Sequence, residues 1–143
     1  MKVGIFISEE KFQDLDKLNL EELDKYPGVE IFGRFLGKGE RPIAVGAANL
    51  FTGIFSAGGK LFLTDKNLYF SAHALNVGRK ECKIDLKDIT DVKIALNLLI
   101  SQHLVVKTNA DSYRFVVWHG KDWLAKIQDA VTAIKDEKTF LQQ

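Results

Sequence analysis

The amino-acid sequence predicts one mostly β (α+β) domain, in which short antiparallel strands are followed by one C-terminal helix. Apolar and polar side chains alternate with a period of two through much of residues 41–117, which is typical of half-buried strands. The apolar period changes to 3.6 residues after residue 119, which indicates a helix. The chain has 143 residues, of which 46% are hydrophobic and 27% charged, and this balance suits one globular domain.

The first forty residues follow a different pattern from the rest. Ser8 is placed to cap a helix over Glu9–Leu18, and a second short helix is expected from Asn19 until Pro27–Gly28 ends it. A loosely alternating strand follows at residues 29–35. The predicted boundaries are 1–39 for an N-terminal α/β extension packed on the domain, 40–135 for the domain and 136–143 for a polar tail.

From Arg41 onward the chain reads as a series of short strands. Asp65–Asn67 predicts a tight turn between two of them, because Asp and Asn accept the backbone angles of turns. Leu50–Gly59 and Ile94–Ile100 are predicted loops, although both are unusually apolar. The expected strands lie at Ile43–Ala47, Lys60–Thr64, Leu68–His73, Glu81–Leu86, Val92–Ile94, Leu104–Thr108 and Tyr113–Val117.

The C-terminal helix is expected over residues 121–135. Trp123, Ile127 and Ile134 fall on one face of it, with Ala130 or Val131 between them. That face should cover the open end of the sheet.

Four segments, in this order, resemble the GRAM family of pleckstrin-homology-like domains, in its bacterial type. The resemblance covers residues 40–135. It implies a pleckstrin-homology-like β-barrel capped by the helix, and an association with lipid and phosphoinositide binding. The segments that carry it are Ala48–Phe51, Gly59–Phe70, Ile84–Val92, and Phe115–Trp118 with Asp122–Trp123.

Charge and cysteine content narrow the class of protein. Residues 1–40 carry a net charge of −3 and residues 41–143 one of +4, which is too weakly basic for a dedicated nucleic-acid binder. The single cysteine, Cys82, excludes an intrachain disulfide and fits a reducing compartment.

The N-terminal apolar run is too short for a signal peptide. A cytoplasmic location, or a peripheral one at a membrane, is expected.

Residues that could carry catalysis are few and scattered. His73, His103 and His119 form no metal-ligand spacing, and we interpret them as surface residues. Cys82 lies at an inward strand position, where cysteine usually behaves as a small hydrophobe. We therefore predict no enzyme activity, no cofactor and no metal site. A small enzyme with a pocket that the sequence does not reveal is the alternative.

Two sets of residues are candidates for binding. The first is basic and would hold the phosphates of an anionic lipid if its members converged near one rim; the competing interpretation is a set of solvated surface lysines. This basic group comprises Lys60, Lys66, Arg79, Lys80 and Lys83.

The second set is apolar and lies in the two predicted loops. Apolar loops either fold back onto the core or contact something else, and the N-terminal extension is one candidate cover. A protein partner, a membrane surface or a second copy of the chain are the others. This predicted interface comprises Phe51, Ile54, Phe55, Leu96, Leu98 and Leu99.

Overall fold

A computed structural model shows an antiparallel sheet closed by one long helix. The structure describes residues 12–16, 39–52, 55–72, 81–96 and 102–141. The strands are β1 (Gln13–Asp14), β2 (Pro42–Thr52), β3 (Phe55–Thr64), β4 (Asn67–Ala72), β5 (Glu81–Asp85), β6 (Ile89–Leu96), β7 (Gln102–Thr108) and β8 (Ser112–Val117). A single 3-10 turn, Leu86–Asp88, joins β5 to β6, and the helix α1 spans Gly120–Leu141.

β2 joins the two halves of the sheet. The strand order is β5-β4-β3-β2-β8-β7-β6, so β2 pairs with β3 along one edge and with β8 along the other. β8 covers only the part of that second edge from Ala48 to Phe51. β1 pairs with the part before it, at Ala44 and Val45. The N-terminal segment therefore completes an edge that β8 leaves open.

The core lies between the inner face of this sheet and one face of α1. Trp123 and Ile127 are fully buried, and Ala130 and Val131 extend the same helical face. They pack in one cluster with side chains from β2 to β8, among them Leu61, Phe70, Leu104 and Phe115. The mostly β fold with a C-terminal capping helix is thus confirmed. The helix itself runs past the predicted end at residue 135, to Leu141.

The predicted loop at Leu50–Gly59 is wrong. β2 continues to Thr52 and β3 begins at Phe55, so most of this segment is a hairpin. Gly59 explains why the sequence misleads: a Cβ there would collide with the backbone carbonyl of Ser71 on β4. The glycine marks two strands that pass unusually close, and not a flexible loop.

The predicted loop at Ile94–Ile100 is wrong at its start. β6 extends through Ile94, Ala95 and Leu96, which pair with β7. Residues 97–100 lie outside the described residues. The apolar character of the beginning of this segment therefore belongs to a strand.

The helix predicted over Glu9–Leu18 is wrong where the structure describes it. Gln13 and Asp14 form β1, and the backbone N–H of Leu15 donates a hydrogen bond to the carbonyl oxygen of Ile43 over 2.7 Å. Pairing with the open edge of β2 satisfies backbone groups that a helix would have satisfied internally. The apolar spacing of Phe12 and Leu15 serves contacts with the barrel instead.

β4 is buried on both faces, contrary to the alternation expected from its sequence. A period of two places Leu68, Phe70 and Ala72 on one face, and these three belong to the core cluster. The same period would expose Tyr69 and Ser71 on the other face, but both are buried as well. The outer face at this position is therefore not a water-facing surface.

Candidate interaction site

The structure does not gather the described members of the basic group. Lys60 lies in the middle of β3 and is only 6% exposed. Lys83 lies on β5, two strands across and two residues along from Lys60, and Lys66 lies in the β3–β4 turn. With strands about 4.8 Å apart and about 3.3 Å per residue along each strand, Lys60 and Lys83 are separated by roughly 12 Å. Arg79 and Lys80 lie outside the described residues.

The described members of the predicted apolar interface also lie far apart on the sheet. Phe51 lies near the end of β2, in the pairing row of Arg114 and Val105, whereas Leu96 ends β6 three strands away. Phe55 lies at the start of β3. Ile54, Leu98 and Leu99 lie outside the described residues. Phe51 is 36% exposed and stacks on the ring of His103, with 5.9 Å between ring centroids.

A second exposed aromatic residue lies on the same side of the sheet. Trp118 follows β8 directly, and residues 112–117 alternate between exposed or half-buried and buried positions. Trp118 takes the next outward position and is 55% exposed. The sequence does not single out Trp118, because a tryptophan next to an apolar helix face more often packs against the core than lies at the surface. The outward period of β8 was the signal that could have placed it at the surface.

The two aromatic side chains flank a strip of small or half-buried side chains. Phe51 is paired with Arg114, and Asn49 with Val116, across β2 and β8. Trp118 lies four positions after Arg114, which corresponds to about 13 Å along an extended chain. We call the strip together with the two aromatic residues the aromatic face. It comprises Ala47, Asn49, Phe51, Arg114, Val116 and Trp118.

Charged residues hold the N-terminal segment against the other part of the β2 edge. Lys126 of α1 lies 3.1 Å from a carboxylate oxygen of Asp14 and 2.9 Å from one of Asp16. Arg41 forms a further ion pair with Asp16. The ring of Phe12 meets Trp123 edge-on, with 5.2 Å between centroids. Sequence reasoning did not single out these residues, because their spacing only becomes meaningful once β1 is placed.

These contacts shift the pKa values of the carboxylate and its partner. Partial burial acts to raise the pKa of Asp16, but hydrogen bonds and charges from Lys126 and Arg41 outweigh it and hold that pKa below its usual value. Burial acts to lower the pKa of Lys126, yet its bonds to Asp16 and Asp14 raise it. Both groups are therefore charged at neutral pH, and each favours the docked segment.

We expect docking of the N-terminal segment to weaken in acid. The depressed pKa of Asp16 contributes stability above its unfolded value of 3.8, and this contribution is lost as the pH falls through the folded value. The raised pKa of Lys126 contributes stability that is fully present below 10.5, and this stability is lost only as the pH rises through the folded value. Docking should be strongest between these limits. The amide resonance of Leu15, followed by NMR against pH, reports it.

The matched control is Asp16→Asn, which removes the titrating group and keeps its shape. It should flatten the acid transition at Leu15, at a cost of about 0.2–1 kcal/mol at neutral pH, since the pair is partly exposed. High salt should have a similar effect, because it screens such pairs. An acid transition that is identical in the variant would contradict this assignment. Among the described residues, Asp14, Arg41 and Asp122 also carry side-chain charges near the segment, and the ring of His119 contacts Phe12.

A buried polar cluster fixes the beginning of the domain. The hydroxyl of Tyr69 donates to a carboxylate oxygen of Glu40 over 2.8 Å, and the hydroxyl of Thr64 donates to the same oxygen. The side-chain amide of Asn67 donates to it over 3.1 Å. Burial and the charge of Glu40 raise the pKa of Tyr69 well above its usual value. These neighbours satisfy the carboxylate, so the cluster serves structure.

The remaining candidates offer little chemistry. Burial, with a contribution from Asp111, raises the pKa of the Cys82 thiol to about 11, which disfavours the reactive thiolate at neutral pH. His103, predicted at the surface, is buried on β7, and His119 is exposed beside Asp122. His73 lies outside the described residues. Within the described ranges, no group of three or more His, Cys, Asp or Glu is arranged to hold a metal ion.

One cavity is acidic. It has a volume of about 220 Å³ and lies between the end of β5, the 3-10 turn and the β7–β8 turn. Its lining includes Asp85, Asp88 and Asp111, together with Lys83 and Tyr113.

Among the described residues, no helix combines the length and the apolar character that crossing a membrane requires.

Comparison with known proteins identifies the fold. No protein-family model matches the sequence, and no curated protein matches it. Among solved structures, the Vps36 N-terminal PH domain is similar, with a TM-score of 0.59 and 18% identity over 71% of this chain and 86% of that one. A DUF1696 family protein with a pleckstrin-homology domain, from Shewanella loihica, gives a TM-score of 0.51 and 16% identity over 81% and 92%.

A human protein adds a third comparison. The N-terminal PH domain of ARAP2 gives a TM-score of 0.50 and 14% identity, over 62% of this chain and 78% of that one. Identities this low establish the fold alone. The strand order, the capping helix and these likenesses together show that the chain has a pleckstrin-homology-like fold.

Proposed function

We propose that this domain is a non-enzymatic module that binds a protein partner through the aromatic face. The observation that carries the proposal is the exposure of Phe51 and Trp118 on paired strands of one sheet face. They are the exposed large hydrophobic side chains in the part of the chain that the structure describes. Aromatic side chains dominate the centres of protein interfaces, where they bury large areas at low entropic cost.

The geometry of the aromatic face favours a protein over an ion or a small metabolite. The pair of Asn49 and Val116 lies between the two aromatic residues, and the small side chain of Ala47 lies beside Trp118, so the surface is shallow and open to a broad partner. Arg114 adds a charge at the rim, where it can steer a partner without being desolvated. Rings of this kind are frequent hot spots, and truncating one costs about 2 kcal/mol or more of binding energy.

Binding of anionic lipid through Lys60, Arg79 and Lys80 is the alternative. The burial of Lys60 weighs against it, since a phosphate ligand would need the ammonium group to be accessible. We also infer, from the sequence resemblance alone, that the chain belongs to the GRAM branch. A peripheral location at a membrane would follow from the lipid alternative.

The test compares Trp118→Ser with a matched control, Lys121→Ser, which changes an exposed residue of α1 close in sequence. Each chain is coupled to a resin and exposed to an extract of the source organism, and bound proteins are quantified. We expect at least one protein that the wild type and Lys121→Ser retain equally and that Trp118→Ser loses about thirtyfold, the equivalent of about 2 kcal/mol. Identical protein sets from all three chains would contradict the proposal.

Vesicle co-sedimentation tests the alternative, in which the domain binds a membrane surface. Vesicles of phosphatidylcholine with and without phosphatidylserine or a phosphoinositide are mixed with the wild type and with Trp118→Ser. We expect weak, salt-sensitive binding in both, because the described members of the basic group do not converge on one site. Tight vesicle binding that Trp118→Ser abolishes would replace the protein partner with a membrane.

A further inference from the structure

We propose that the groove between the edge of β2 and the N-terminal half of α1 is a binding site for an extended acidic peptide from another protein. The chain's own residues Phe12–Asp16 occupy this groove in cis. The site is separate from the aromatic face and does not depend on it. Backbone pairing, apolar contact and charge each point to a peptide as its ligand.

The backbone of β2 supplies the first element of recognition. β8 pairs with β2 only from Ala48 onward, which leaves the edge at Ala44 and Val45 to an extended segment, and β1 takes that place in cis. β1 pairs there in antiparallel register, and the N–H of Leu15 extends the contact to Ile43. Strand addition of this kind binds peptides through main-chain hydrogen bonds, independent of most side chains.

Two apolar contacts supply the second element. Leu15 is 1% exposed although it belongs to a segment that pairs through only two residues. Phe12 packs edge-on against Trp123 and also contacts the ring of His119. A segment held by so short a ladder owes most of its docking to these two anchors, since burial of a large apolar side chain is worth more than one hydrogen bond.

Charge supplies the third element and sets the chemistry of the ligand. Lys126 contacts both Asp14 and Asp16, and Arg41 contacts Asp16. The two cations belong to the body of the domain, and the carboxylates belong to the docked segment. The groove therefore selects a segment with an aromatic residue, a leucine three positions later, and acids on either side of the leucine.

The segment in the groove and the groove itself belong to one chain, so the segment is an intramolecular competitor of any partner peptide. Covalent attachment raises the effective concentration of such a competitor, and a partner peptide must overcome this advantage.

The experiment measures binding of a fluorescein-labelled peptide with the sequence of residues 10–18 to the full chain, by fluorescence anisotropy. The host is the double variant Asp14→Asn, Asp16→Asn, which weakens the cis segment without changing its shape. We expect it to bind the peptide about fivefold to tenfold more tightly than the wild type does. A host carrying Phe12→Ser serves the same purpose if the double variant proves unfolded by circular dichroism.

Charge reversal tests the groove directly. Lys126→Glu in the double-variant host should weaken binding by a similar factor, and a peptide with Lys in place of both acids should recover it. Phe51→Ser, which lies on the aromatic face, should leave peptide binding unchanged, and this separates the two proposals. Folded hosts that bind no peptide at millimolar concentration, or that bind both peptides equally, would overturn the inference.

Discussion

Trp123→Ala is expected to lower the free energy of unfolding by about 3–5 kcal/mol, measured by chemical denaturation. Trp123 is 0% exposed and belongs to the cluster through which α1 closes the sheet. Truncation would leave a cavity that the helix cannot fill without moving, since Ile127 and Val131 of the same face are held in place. It would also remove the surface on which Phe12 rests.

The matched control for this prediction is Trp118→Ala. The residue type is the same and the sequence position is close, but Trp118 is exposed, so its loss should change unfolding by no more than about 0.5 kcal/mol. Equal effects of the two substitutions would show that the helix does not anchor the domain through Trp123.

Gly59→Ala is expected to be the second most damaging change, at or above the upper end of the roughly 1–3 kcal/mol typical of overpacking. The added Cβ would collide with the carbonyl oxygen of Ser71 and lie 2.8 Å from the Cα of Ala72. Both contacts are with backbone, which cannot rotate aside as a side chain can. The β3–β4 pairing must therefore separate locally, and thermal unfolding should show the loss.

Gly39→Ala is the control that separates a steric collision of the added Cβ from the cost of an unfavourable backbone conformation. Gly39 has a φ of 79°, and a Cβ there would meet nothing within 4 Å. The cost should be about 1–2 kcal/mol, from the left-handed backbone alone. A larger effect at Gly39 than at Gly59 would contradict the close approach of β3 and β4.

The fold could be predicted from the sequence because its signals are local. The alternation around Ile84 and the change of period before Trp123 each need only a few neighbouring residues. The hairpin around Gly59 could not be read in the same way. Glycine is typical of loops, and only the position of Ser71 on the neighbouring strand reveals that it serves close packing.

The candidate sites were harder to predict, because they depend on pairing between distant segments. The sequence left open whether the basic group converges near one rim or forms a set of solvated surface lysines, and it gave no sign that Lys60 would be buried. The contacts of Lys126 with Asp14 and Asp16 join segments that are far apart in sequence, 110 residues in the case of Asp16. No local pattern encodes such a contact, so the groove became visible only in three dimensions.

The position of β2 has a consequence for how the domain forms during synthesis. β2 is made well before its partner β8, as the pairing of Ala48 with Val117 shows. Contacts so distant in sequence raise contact order and slow folding. Until β8 arrives, the nascent β2–β3 hairpin has a bare edge that can pair with other chains, so it is the stage at which a ribosome-associated chaperone would matter most.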